Sequence, residues 1–341
     1  MSTDNVHIEA TIKTSGHVKI INGDTVIEGH NKLTNAFMFS LSNIMSASKY
    51  YQSDTTGFNR GYSDTGWQWM YLGTDTTTQT GVGTTGLSNP IGSPTKCSTI
   101  DSQAWTSSNA DYVQWIGVWS PGSISGTVGE MGLYLRLDDA WQSTFGHIMT
   151  TTTATLAARF SVADSEFSSF TIDETKPVVV VWTVKMETDG RFVNQGVNAV
   201  MNYVACNGHS GTTNLANSYF TAYNWTGKAS YMVLGSNTDT VTTGGMTALV
   251  SPIGTSPGTK ATSQDGTCTN PSTGSYQTTY LATWPAGTIS GATCGEIGLY
   301  LNSPNGVNFT GLSQLTYGST SYLLFIRLSA AQSDFTPFEI N

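Results

Sequence analysis

The sequence predicts a mainly β protein made of two tandem β-sandwich domains that arose by internal duplication, each with an opening hairpin and one short helix. Three observations lead there. Charged residues are 11% of the 341 positions, under half the usual share, and Thr, Ser, Gly and aromatic residues are plentiful. Short runs of alternating apolar and polar residues are punctuated by Gly, Ser, Thr and Pro. One phrase also occurs twice: "GSISGTVGEMGLYL" from Gly122 and "GTISGATCGEIGLYL" from Gly287.

The repetition runs through most of the chain in constant order. "HVKIINGD" from His17 matches "TVKMETDG" from Thr183, with Val18 facing Val184 and Asn35-Ala36 facing Asn198-Ala199. "YLGTDT" at Tyr71 answers "VLGSNTDT" at Val233, and "LSNPIGSPTK" at Leu87 answers "LVSPIGTSPGTK" at Leu249. "RFSVADSEFSSFTI" at Arg159 answers "RLSAAQSDFTPFEI" at Arg327, so the offset stays between 162 and 168 residues. That is a whole-domain period, far longer than a solenoid repeat. The copies are placed at residues 1–175 and 176–341, and the strand at 176–186 serves both.

Within a copy, a strand at about Val18 to Ile21, or Val178 to Met186, leads through "NGD" or "TDG" turn chemistry into a second short strand, which makes a hairpin. Phe37, Leu41 and Ile44, like Val197, Met201 and Val204, then lie at helical spacing, with Thr34 or Asn35 as N-cap. Thr74 to Thr80 reads as a surface loop, as does the apolar-Pro step that follows it, and Thr150 to Thr155 leads into a strand. Met131, Leu133 and Leu135, or Ile297, Leu299 and Leu301, alternate with polar or small residues, so one face of that strand is core. Copy two ends with no equivalent of "KPVVVVWTVKM" (Lys176 to Met186), and Val6 to Thr14 is the candidate to cover the exposed edge.

Several functions are disfavoured. A net charge of −9, with 14 Lys and Arg scattered along the chain, argues against nucleic acid as partner. Cys97, Cys206, Cys268 and Cys294 have no metal-ligand spacing, so free buried thiols are expected, with no metal and no cofactor. The five His form no H-x-x-x-H pattern, no G-x-S-x-G elbow occurs, and the chain is expected not to be an enzyme. No apolar run reaches membrane length and no secretory signal is visible, so synthesis in a cytoplasm without membrane association is expected.

Two groups of residues remain. Glu130 and Glu296 are conspicuous in so uncharged a chain, but neither has a second carboxylate at catalytic spacing, and pairing with Arg159 and Arg327 at the sandwich end is the expectation. "GFNRGYSDTGWQWMY" (Gly57 to Tyr71) is aromatic, rich in Gly and has no equal in copy two. Tyr62, Trp67, Trp69 and Tyr71 are therefore candidates for stacking on a glycan, the alternative being a packed loop or a contact between molecules.

The ordered series of Asn before a short helix, "LGT", a Thr-rich loop, "GTI-x-G", "E-[IM]-G-L-Y", an Arg-bearing strand and "VWTV" resembles a β-sandwich domain of tailed-bacteriophage structural proteins, especially tail, fibre and baseplate-associated ones. The resemblance implies structural roles for Trp119, Glu130, Gly132 and Arg159 and for Trp284, Glu296, Gly298 and Arg327. It implies a virion component that forms homo-oligomers and contacts other virion proteins; the aromatic stretch at Gly57 to Tyr71 adds a host-surface glycan as the alternative partner. The chain has no collagen-like or coiled-coil shaft, which favours a compact component over a long fibre.

Overall fold

A computed structural model describes residues 12–34, 37–38, 68–81, 84–96, 98–100, 112–135, 146–149, 152–193, 231–253, 262–263, 280–282, 291–303, 315–317 and 320–340, with 197, 284 and 289. The chain is mainly β, in several antiparallel sheets, and no helix of seven or more residues occurs among the described residues.

The first twelve strands are β1 (Ile12–Asn22), β2 (Thr25–Leu33), β3 (Gln68–Gly73), β4 (Pro90–Lys96), β5 (Ser98–Ile100), β6 (Tyr112–Trp119), β7 (Thr127–Val128), β8 (Glu130–Leu135), β9 (Gly146–Met149), β10 (Thr152–Ser161), β11 (Phe170–Thr171) and β12 (Val178–Thr188). Most join one sheet in the order β4-β3-β8-β10-β2-β1-β12-β6-β5, with β9 also on β10. The expected first hairpin is present: β1 and β2 pair from Gly16↔Asn31 to Asn22↔Thr25 around Gly23, whose φ of 61° favours Gly.

Two shared strands fold this sheet back on itself. The body of β2 pairs with β1, but Lys32 and Leu33 pair with Arg159 and Ala158 of β10. At the other end β4 pairs with β3 while β5, one residue further on, pairs with β6. Side chains complete that seam: Thr95 Oγ1 donates to the Val118 carbonyl at 2.6 Å, and Trp119 Nε1 donates to the Ser93 carbonyl at 3.0 Å. The result is a flattened barrel whose two walls face each other, joined by ladder through β2 on one side and by side chains between β4 and β6 on the other.

One core cluster spans both walls. It contains Val18 and Ile20 of β1, Trp115 of β6 and the alternate residues Val178, Val180, Trp182, Val184 and Met186 of β12. Met70 and Leu72 of β3, Met131 and Leu133 of β8, and Phe160 of β10 meet them. The burial of every second residue of "VVVVWTVKM" is the pleat of a strand with one face in the core. Met131 and Leu133 are in the core as expected.

The second half has β13 (Tyr231–Gly235), β14 (Thr262–Ser263), β15 (Tyr280–Leu281), β16 (Ala292–Cys294), β17 (Glu296–Ser303), β18 (Leu315–Tyr317), β19 (Thr320–Ser329) and β20 (Phe338–Ile340). The order β13-β17-β19-β18 repeats β3-β8-β10-β9, and β16 on β20 repeats β7 on β11. Each long return strand runs into a 3₁₀ turn, capped by Ser161 or Ser329 and closed by Ser165 or Ser333 at φ 61°.

Four expectations need correction. No second hairpin forms, because β1 and β6 take both edges of β12; after Gly190 the chain pairs Phe192 with Ile326 of β19 instead. Residues 12–14 do not cover the second half: they extend β1 along Met186 to Thr188 of β12, and residues 6–11 lie outside the described residues. The match of Asn35 to Asn198 is one helical turn late. Thr34 N–H donates to Ala157 O and Val193 N–H to Phe325 O, and both carbonyls accept from the residue four further on, which makes Thr34 and Val193 equivalent. "PIGSPTK" is strand β4 and not loop, with Pro90 at its first position, Gly92 at φ 62° and Pro94 within an irregularity of the pairing.

The N-cap expectation is met at Thr34, whose hydroxyl accepts from Phe37 N–H at 3.4 Å and donates to the Leu156 carbonyl at 2.6 Å. Leu41, Ile44, Met201 and Val204 lie outside the described residues.

Candidate functional site

Glu130 opens β8 and Arg159 lies across from Gly132 on β10, on the sheet face opposite the core. A bare ion pair there would be wet, yet both side chains are fully buried, because the segment between β3 and β4, residues 74–89, folds over them. Arg159 Nε and Nη2 reach Glu130 Oε2 at 3.0 and 2.7 Å. Oε1 accepts the Asn89 N–H at 2.8 Å and Oε2 the Ser88 N–H at 3.2 Å. Arg159 Nη1 donates to Thr78 O at 2.6 Å and to Thr80 Oγ1 at 3.0 Å. The pair therefore grips both limbs of the loop at once. Charge-assisted bonds of this kind are the strong ones.

The rest of "E-M-G-L-Y" completes the clamp. Tyr134 turns its hydroxyl to the loop and accepts the Leu87 N–H at 2.9 Å. Gly132 makes room for that ring: a Cβ there would stand 2.7 Å from Leu156 Cδ1 and 2.8 Å from Tyr134 Cε2. Gly73, of "LGT", makes room for the carboxylate, since its Cβ would stand 2.6 Å from Glu130 Oε1. Burial raises the Tyr134 hydroxyl above its usual range, so it remains a neutral acceptor.

The second half repeats this atom for atom. Glu296 accepts the N–H groups of Val250 at 3.1 Å and Ser251 at 2.6 Å, and Tyr300 Oη accepts that of Leu249 at 3.1 Å. Arg327 Nε donates to Glu296 Oε2 at 2.8 Å, and Nη2 lies 2.7 Å from the same oxygen with its N–H bonds off line. Nη1 donates to Thr240 O and Thr242 Oγ1 at 2.9 and 3.2 Å. Gly298 and Gly235 again make the space. Both expected Glu–Arg pairs are present, at the strand ends where Glu130 faces Gly73 and Ser161 and Glu296 faces Gly235 and Ser329, on the outer sheet face under a loop. The outer face of the "E-x-G-L-Y" strand is therefore buried too.

No family model matches this chain, and no curated protein or solved structure does either.

The remaining candidates are distributed as follows. Trp119 is 4% exposed and fastens the barrel seam. Trp284 is half-buried, and its indole N–H has no hydrogen-bond partner among the described residues. Trp69 and Tyr71 pack with Tyr134, Leu156 and Leu87 on the outer face of β3, β8 and β10, with Tyr71 edge-on to Tyr134 at 6.0 Å. Tyr62 and Trp67 lie outside the described residues. Cys294 is a free, buried thiol pushed up to about 11 by burial; the other three cysteines lie outside the described residues. No cluster of three His, Cys, Asp or Glu suited to a metal occurs among the described residues.

Sequence reasoning missed the tyrosines, the loop glycines and the acids around the 3₁₀ turns, although all but the last are visible as repeated letters. These acids distinguish the two clamps. In the first, Lys32 pairs with Asp164 at 2.6 Å, and Asp164 also binds Thr80. In the second, Gln332 stands in place of Asp164 and accepts from Thr242 N–H at 2.9 Å, while Arg191 pairs with Asp334 at 2.7 Å. The Glu166 carboxylate, the counterpart of that of Asp334, accepts from the Ser161 N–H at 2.7 Å and has no cation beside it among the described residues. Burial pushes its carboxyl up to about 7, with the charge of Asp164 adding to the rise.

Two predictions follow from these contacts. Because the folded state holds the Glu166 proton more tightly than the unfolded chain, stability from this group is full below its ordinary 4.5 and declines as pH rises through about 7. Its partial exposure limits the change to about 1–2 kcal/mol. Urea midpoints on either side of that window measure the decline, and Glu166→Gln should flatten it. Gly132→Ala should cost about 1–3 kcal/mol by overpacking against Leu156 and Tyr134, read from the same denaturant curves.

Proposed function

We propose that this chain is a non-enzymatic structural subunit of a tailed-phage virion, made of one β module written twice, that works by packing against copies of itself and other virion proteins. The observation that carries the reading is the paired clamp. The two conspicuous acids, Glu130 and Glu296, have every contact directed to holding a loop in place, and both are fully buried. A module that spends its buried charge on fixing surface loops presents rigid surfaces, and rigid surfaces lose little entropy on association. The resemblance of the motif series to phage tail, fibre and baseplate-associated domains supports the same reading. The acidic balance of −9 helps keep unassembled subunits apart.

Mass spectrometry of purified particles tests this: the chain should be found in mature virions at a stoichiometric level, and its absence would remove the reading. The rival is a glycan-binding module using residues 57–71. Trp69 and Tyr71 are engaged in packing against Tyr134, which favours the structural role for these two. Glycan-array signal lost in Trp67→Ala with assembly intact would favour recognition.

A further inference from the structure

The exposed large hydrophobic residues on the described surface are Val26, Val118, Val241 and Val250, at 54, 49, 49 and 50% exposure. They fall into two pairs in different places. Val26 and Val118 end a single cross-strand row on the outer face of the barrel wall: Val26 pairs with Ile21, Ile21 with Val179, and Val179 with Val118. Residues paired across strands share a face, so four aliphatic side chains lie in line over β2, β1, β12 and β6. The next row adds Val181 and Ile116 beside Lys19 and Glu28.

Val241 and Val250 belong to the loop of the second clamp and emerge on either side of the buried Glu296–Arg327 pair. Their backbone is fixed: Thr240 O and Thr242 Oγ1 accept from Arg327, and the Val250 N–H is held by Glu296. At the equivalent places of the first clamp, 162 positions earlier, the chain has Gln79 and Ser88. The same scaffold is thus polar on one loop and apolar on the other.

We propose that loop 236–251 of one molecule docks on the outer face of β2, β1, β12 and β6 of a second copy of this chain, so that Val241 and Val250 meet the Val26–Ile21–Val179–Val118 row. Charge agrees with this pairing. The loop carries one charged side chain, the exposed Asp239, and no cation from Ser236 to Ser251. The receiving face carries Lys13, Lys19 and Lys185 against Glu28 and Glu187. Its size is suitable as well: four strands at about 4.8 Å and eight to eleven residues at about 3.3 Å give on the order of 600 Å², near the ~800 Å² one partner contributes to a standard interface. Donor and acceptor surfaces differ, so the contact is head-to-tail and builds a ring if its rotation closes. The inference rests on reading the chain as an assembling subunit, not on the virion in which it would assemble.

Analytical ultracentrifugation of the purified full chain tests it. Wild type should form oligomers, while Val241→Asp with Val250→Asp and, separately, Val26→Asp with Val118→Asp should each be monomeric. A 1:1 mixture of the two variants should give dimers and nothing larger, because each retains the surface the other lacks. Val26→Thr with Val118→Thr, which suits a strand, should show at least a tenfold weaker association if the Asp version fails to fold. A monomeric wild type, a variant of wild-type size, or a mixture that stays monomeric overturns the proposal. None of these results depends on whether the chain is found in particles, so the two readings fail separately.

Discussion

Arg159→Leu is expected to lower the unfolding free energy by about 3–5 kcal/mol, the cost of leaving a buried carboxylate without its cation. Glu130 is fully buried, and besides Arg159 its oxygens meet only the N–H groups of Ser88 and Asn89. Removing the guanidinium also frees Thr78 O and Thr80 Oγ1, so the loop loses one limb of its attachment. The double variant Glu130→Leu with Arg159→Leu should cost less than Arg159→Leu alone, since the fully buried carboxylate is gone and Asp75, 3.5 Å from Arg159 Nη2, keeps its hydrogen bonds from Thr77 and Thr78. Urea denaturation of the single and double variants measures both, and a single variant within about 1 kcal/mol of wild type would show that the pair does not hold the loop.

Trp182→Ala is the second large effect, at about 3–5 kcal/mol. Trp182 lies mid-way along β12, fully buried, with Trp115 opposite on β6 and Val18 on β1. Alanine leaves a cavity where both walls of the barrel meet, and the paired strands on each side prevent collapse into it. Trp182→Phe should cost much less. It keeps most of the apolar surface and removes an indole N–H that has no hydrogen-bond partner among the described residues. Equal costs for the two substitutions would place the effect in the indole nitrogen and not in volume.

The parts of this molecule that were legible from sequence are those governed by neighbours along the chain. Alternation exposed β8 because a pleat repeats every two residues, β12 showed as a strand-sized apolar run, and Gly23 marked its turn because few residues tolerate that φ. Glu130 and Arg159 could be paired because the chain writes them twice in the same order. What sequence concealed depends on position in space. Pro90, Gly92 and Pro94 look like loop, yet the strand they form closes the barrel, with the prolines where no ladder N–H is required. The second hairpin failed for a topological reason, since nothing in "TDG" shows that β12 has no free edge left. The clamps were half-read: the acids and arginines stood out by their charge, whereas Tyr134 and Tyr300 resembled ordinary aromatic residues until the loop lay over them.

The seam at residues 90–100 has a consequence for how molecules of this kind meet. Around the girth of the first barrel β4 pairs on one edge with β3, β5 on one edge with β6, and β2 meets β10 through Lys32 and Leu33. Among the described residues the outer edge of β2 from Thr25 to Asn31 and the seam edges of β4 and β5 carry no ladder, and these are the places where an added strand would pair. Within the chain the side chains of Thr95 and Trp119 stand in for that pairing, bridging β4 to β6 where the backbone does not.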